Sequence, residues 1–117
     1  MTQEATIILT ILHGVATETR AQKAANECTR AFRKAYEDAM REGGSPTQAT
    51  MLRARLQADK AFELAMPPLD TRANIRAYIT AIGRGLQLRV FTPRHGQQLL
   101  YMAQVALSAQ GGKKARR

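Results

Sequence analysis

Small and apolar residues recur along the chain at steps of three and four, the spacing of one helix face. Four helices follow from where that rhythm starts and stops. The first is predicted over about Gln3 to Glu42. Its first half carries a bulky stripe, Ile8, Ile11, Leu12 and Val15. Its second half carries a stripe of mostly small residues: Ala21, Ala25, Cys28, Phe32, Ala35 and Ala39. Gly43-Gly44 supplies the usual glycine stop. Ser45-Pro46-Thr47-Gln48 then opens a second helix, with Ser45 as N-cap, Pro46 at the first helical position and Gln48 completing a capping box. This helix continues to about Ala65. Met51, Ala54, Ala58, Ala61, Phe62 and Ala65 form its inner face, and Pro67-Pro68 stops it.

Asp70 or Thr71 caps a third helix running to about Leu88. Ile75, Ile79, Ile82 and Leu86 lie on one side of it, and Arg72, Arg76, Thr80, Arg84 and Gln87 on the other. Gly83 and Gly85 weaken it near its end. Thr92-Pro93 repeats the cap-plus-proline signal and starts the fourth helix. Its core face is Leu99, Leu100, Ala103, Ala106 and Leu107, and its polar face Arg94, Gln97, Gln98, Tyr101 and Gln104. Gly111-Gly112 is expected to end it.

The fold expected is all-α: a long N-terminal antiparallel hairpin followed by a shorter, basic helical hairpin. Residues 1–110 form a single helical domain, and residues 111–117 a disordered basic tail with nothing to bury. Helix one would be roughly 60 Å long and helix two roughly 30 Å. The Ile8–Val15 end therefore overhangs and must meet helices three and four, or a partner chain.

The stretch from Pro67 to Ala109 resembles a segment of small uncharacterised bacterial proteins. The matching residues are Pro67-Pro68-Leu69-Asp70 and Leu99-Leu100-Tyr101-Met102-Ala103-Gln104-Val105-Ala106. The resemblance covers about a third of the chain and implies a helical hairpin, with no function attached. Those proteins often carry an N-terminal Cys/His cluster. This chain has none, so no metal role is carried over.

Composition narrows the setting. The 117 residues make one domain's worth of chain, rich in alanine, with three Phe, three Tyr and no Trp. The one cysteine, Cys28, precludes an internal disulfide and points to a reducing, cytoplasmic setting. Glu4 and no Lys or Arg precedes the apolar run Ile7–Leu12, unlike a signal peptide. No apolar stretch approaches the roughly 20 residues of a membrane span, so no membrane association is expected.

Charge changes the picture most. The net charge is +9, yet residues 1–70 hold nine Lys/Arg and nine Asp/Glu and are neutral. Residues 71–117 hold nine Lys/Arg and no acid. Two halves of one small domain with such unequal charge point to a polyanionic partner for the basic half.

Catalytic chemistry finds little footing. His13 and His95 are remote in sequence from Cys28, and no HExxH or CxxC motif is present. Cys28 falls on the alanine stripe and reads as a buried structural thiol. Asp59 and Glu63 are one turn apart, and Asp59 is placed to pair with Arg55. Gly83-Arg84-Gly85 is too short for a phosphate loop. No enzyme activity, cofactor or metal is expected.

The arginines carry the functional reading. Every cation between residues 71 and 112 is Arg: Arg72, Arg76, Arg84, Arg89 and Arg94. Guanidinium groups favour bidentate phosphate or carboxylate contacts. With Lys113, Lys114, Arg116 and Arg117 they suggest a non-enzymatic module binding RNA, DNA or a nucleoprotein through backbone contacts. A DNA-reading helix-turn-helix over helices three and four fits less well than an ordinary hairpin loop at Arg89–Thr92. The alternative is a protein–protein adaptor or inhibitor of the phage or mobile-element kind. It would dock on an acidic protein or self-associate through Ile7, Ile8, Ile11, Leu12 and Val15.

Overall fold

The structure is a computed structural model and describes residues 19–115. Four α-helices follow one another there, with no strand among the described residues: α1 (Arg20–Gly43), α2 (Gln48–Leu64), α3 (Arg72–Gln87) and α4 (Pro93–Ala115). The all-α class expected from the periodicity is the class observed.

Hydroxyl caps set the boundaries. Thr19 is extended (φ −70°, ψ 160°), and its Oγ1 accepts the Gln22 N–H at 3.1 Å while Gln22 Oε1 accepts the Thr19 N–H at 3.0 Å. This capping box satisfies two otherwise orphaned donors. A continuous helix over about Gln3 to Glu42 is thereby corrected, because the backbone leaves helical geometry at Thr19. The stripe Ile8, Ile11, Leu12 and Val15, together with Ile7 and His13, lies outside the described residues. At the far end Gly44, with φ 75°, closes α1 where the glycine pair predicts.

α2 is capped by Thr47, two residues later than the Ser45 cap expected. Thr47 Oγ1 accepts the Thr50 N–H at 3.2 Å and meets the Thr50 hydroxyl at 3.0 Å, a double contact that places Pro46 ahead of the helix. Thr71 caps α3 through the Asn74 N–H and Thr92 caps α4 through the His95 N–H, each at 3.1 Å. The stop expected at Gly111-Gly112 is also corrected, since α4 runs on to Ala115. Two glycines weaken a helix without ending it, and Gln110 Nε2 anchors this turn by donating to the Asp70 carbonyl at 2.8 Å.

α1 packs on α2 and on α3, and α3 packs on α4. The alanine stripes allow close approach: Ala25, Cys28 and Ala39 of α1 and Ala54, Ala58 and Phe62 of α2 are buried. The periodicity places Met51 on that inner face, but it is 46% exposed. It stands level with the glycine end of α1, where Gly43 faces Thr50 and offers no side chain to pack against.

The central cluster joins Cys28, Phe62, Ala81 and Phe91, flanked by Phe32, Leu86 and Leu99. Phe62 and Phe91 meet edge to face, 5.8 Å between centroids at 84°. Gly85 makes room for them. A Cβ there would lie 2.4 Å from the Phe91 ring and 3.2 Å from Phe62. Arg55 ties three helices. Its Nε bonds Asp59 at 3.0 Å as the spacing predicts, its guanidinium sits 5.1 Å over the Phe32 ring, and Nη2 donates to the Leu88 carbonyl. That last bond places a cation at the C-terminal end of α3, where the helix dipole favours one.

Candidate nucleic-acid interface

α3 presents the first part of the basic surface. Thr71 starts the helix, so Arg72 is its first residue and Arg76 stands one turn further on. Both are exposed, and Thr80, Gly83 and Gln87 continue the same exposed strip. The opposite side holds the buried Ile75, Ala81 and Ile82. The helix period thus turns a sequence pattern into a ridge with two guanidinium groups near its start.

Arg84 does not belong to that ridge. At about 100° per residue it lies about 120° round the helix from Arg72. Its Nη1 donates to Asn26 Oδ1 and to Thr29 Oγ1 of α1, both at 3.0 Å. Thr29 Oγ1 in turn donates to the Ala25 carbonyl at 3.0 Å. Arg84 is a structural tie between α1 and α3, which corrects its placement beside Arg72 and Arg76.

Arg89 and Arg94 flank the turn into α4, and both are exposed. Arg89 follows the Leu88 C-cap with φ 61°, the one non-glycine residue of positive φ among those described. Its N–H donates to the Leu86 carbonyl at 3.2 Å, and the Val90 N–H donates to the Gly85 carbonyl at 2.8 Å. These two bonds form a Schellman motif with Arg89 in the position that glycine usually takes. Beside the turn lies an open apolar cleft of about 610 Å³, lined by Leu86, Phe91, Pro93 and Leu100 with Arg89 and Gln97 at its polar rim.

Among the described residues, no carboxylate lies within ion-pair distance of these arginines. The ion pairs among the described residues are Arg41–Asp38 at 3.5 Å and Arg55–Asp59 at 3.0 Å, both within one helix and both before residue 71. Arg72, Arg76, Arg89 and Arg94 therefore project as charged groups without an acidic partner among the described residues.

The start of α1 adds cations that the charge count hid. Arg20 and Lys23 line a polar cleft of about 300 Å³ with Glu27, Pro67 and Asn74. They belong to the electrically neutral part of the sequence, and only the packing of α1 on α3 brings them to the same end as Arg72. Arg20 Nη2 donates to Asn74 Oδ1 at 3.1 Å. The Asn74 amide beside Asp70, with Arg20 nearby, holds the Asp70 carboxyl below the usual carboxylate range.

Burial, aided by Glu27, pushes the Cys28 thiol up to about 11, so it is a protonated core group at neutral pH. The His95 ring lies edge-on to Phe91 with centroids 5.3 Å apart. No group of three or more His, Cys, Asp or Glu placed to hold a metal ion occurs among the described residues. No helix among them is long and apolar enough to cross a membrane. Lys113 and Lys114 fall in the last turn of α4, and Arg116 and Arg117 lie outside the described residues.

Comparison with protein families, with known proteins and with solved structures finds no significant match to this chain.

Proposed function

We propose that the protein is a non-enzymatic binding module that engages nucleic acid, alone or within a nucleoprotein, through Arg72, Arg76, Arg89 and Arg94. Lys113, Lys114, Arg116 and Arg117 at the end of the chain add to this charge. The observation that carries the proposal is the set of four exposed guanidinium groups with no carboxylate within ion-pair distance among the described residues. Such groups fit phosphate oxygens bidentately, and their contacts carry affinity without a base code. The left-handed backbone at Arg89 supports the reading further. An arginine in a conformation where glycine would be unstrained fits a position at which the side chain has a use of its own.

The test is an anisotropy titration of a labelled oligonucleotide at several salt concentrations, with duplex and single-stranded probes. Four arginine–phosphate contacts give a log–log slope of about −3.6 on duplex DNA, and less on a single strand. Replacing Arg72 and Arg76 by Glu removes two favourable contacts and adds repulsion, so binding should fall by tenfold or more, roughly 1.4 kcal/mol at the least. A slope near zero, or full binding by the double variant, rejects the proposal.

The adaptor reading is supported by one observation of its own. Large apolar side chains are exposed on the outer faces of α2 and α4, among them Leu52, Leu56, Leu64, Tyr101 and Met102. Nucleic-acid binding ranks first because exposed arginines without an ion-pair partner among the described residues select their partner by charge, whereas exposed apolar groups do not.

A further inference from the structure

We infer that the open apolar cleft at the α3–α4 turn takes an unpaired base of a single-stranded nucleic acid, with the adjoining phosphate on Arg89. The inference rests on the nucleic-acid reading above and deepens it, by naming the kind of nucleic acid.

Close approach of two helices builds the cleft. Gly96 of α4 leaves room for Leu86 of α3, since a Cβ there would lie 2.7 Å from Leu86 Cδ2. Leu86 therefore packs against α4, and Pro93 and Leu100 complete the apolar lining. The turn between the helices is fixed by the Arg89 N–H on the Leu86 carbonyl at 3.2 Å and the Val90 N–H on the Gly85 carbonyl at 2.8 Å. A cleft held by backbone hydrogen bonds and helix packing is formed before any ligand arrives. Its volume of about 610 Å³ lies within the range of ligand sites.

Polar groups at its rim match a nucleotide. Arg89 is exposed there, with no carboxylate within ion-pair distance among the described residues. Residues 71–117 contain no acid to repel a phosphate. Gln97, also at the rim, carries a carboxamide with both donor and acceptor, the complement of a base edge. Tyr101 stands one turn beyond Gln97 on the same face of α4. It is 68% exposed and is the one exposed aromatic side chain among the described residues, a platform on which the next base can stack.

This pairing of cation with apolar surface occurs twice. Arg89 adjoins the cleft, and Arg94 shares a helix face with Tyr101, seven residues on. A single strand repeats the complementary pair at every nucleotide, an anion and a flat base with two apolar faces. A duplex does not, because its bases stay stacked inside and only their edges reach the grooves. An apolar cleft laid against duplex phosphates would desolvate them without compensation.

The test compares a labelled oligothymidylate with an abasic strand of equal length, by anisotropy over a range of salt concentrations. The two strands carry the same phosphates, so their salt slopes should agree. The intact strand should bind roughly 5- to 150-fold more tightly, the worth of one stacked or buried base. Equal affinities with a normal salt slope overturn the inference and leave the arginine reading standing, whereas no salt-dependent binding to either strand overturns both. Displacement by thymidine monophosphate at equal base concentration would make a free nucleotide the occupant, and overturns the strand as well. Leu100→Gln should bring the intact-to-abasic ratio toward one, and an unchanged ratio in a variant that melts like the native protein counts against the cleft. Photo-cross-linking of the native chain by a strand carrying one 4-thiothymidine needs no variant. Adducts should fall within residues 86–101, and adducts confined to residues 72–80 or to the last five residues overturn the inference.

Discussion

Arg89 occupies a backbone conformation that glycine adopts freely and that an L-residue adopts at a cost of about 1 kcal/mol. The Schellman bonds at the end of α3 require that geometry whichever residue supplies it. Replacing Arg89 by Gly should therefore raise the unfolding free energy by up to about 1 kcal/mol in a urea titration. The same variant should bind nucleic acid more weakly, with a salt slope shallower by about one unit. Stability and binding would then move in opposite directions at one position. A variant less stable than the native protein would show that the guanidinium contributes to the fold instead.

Among the helices, close approach is governed by two glycines of opposite character. Gly85 lies under the Phe91 and Phe62 rings, and an added methyl has nowhere to go. Gly85→Ala should destabilise by about 1–3 kcal/mol through overpacking. Gly83 sits two residues earlier on the exposed strip with open space beside it. Gly83→Ala should stabilise by about 0.5–1 kcal/mol, the ordinary helix-propensity gain. Thermal or urea unfolding of the pair checks both signs. The sequence marks both glycines as weak points in α3 and does not separate them, because the Phe91 ring reaches Gly85 only after the chain has turned through Arg89. The same limit explains which other features were legible. Met51 apart, the stripes within the described helices, the Thr92 cap, the Gly44 stop and a cap at Asp70 or Thr71, of which the fold uses Thr71, are local patterns that the fold follows. Thr19 and Gln22 also form a local capping box, but an apolar rhythm runs through them from Ile8 to Ala39 and masks the break. Thr47 prevailed over Ser45 through one extra hydroxyl contact with Thr50. Arg84, by contrast, has a partner 58 residues away in Asn26, and no periodicity can announce that.

In the molecule as a whole, the two halves of unequal charge are joined without an ion pair between them among the described residues. Arg84 spans them to an amide and a hydroxyl, Arg55 to a backbone carbonyl and Arg20 to an amide. Such bonds depend little on ionic strength, whereas phosphate contacts depend on it steeply. Arg84→Ala should cost about 1–3 kcal/mol of stability, since part-buried acceptors on α1 lose a charged donor. Its binding salt slope should remain that of the native protein, and a reduced slope would return Arg84 to the interface.

The attachment of α4 has a mechanical corollary. Because this helix leans chiefly on α3, and because Arg89 and Arg94 stand on either side of the short turn between them, any swing of α4 that broke the Gln110–Asp70 bond would turn about that connection. A polyanion gripping both guanidinium groups would brace that pivot, so occupancy at the turn and the opening of α4 would be thermodynamically linked, each restraining the other.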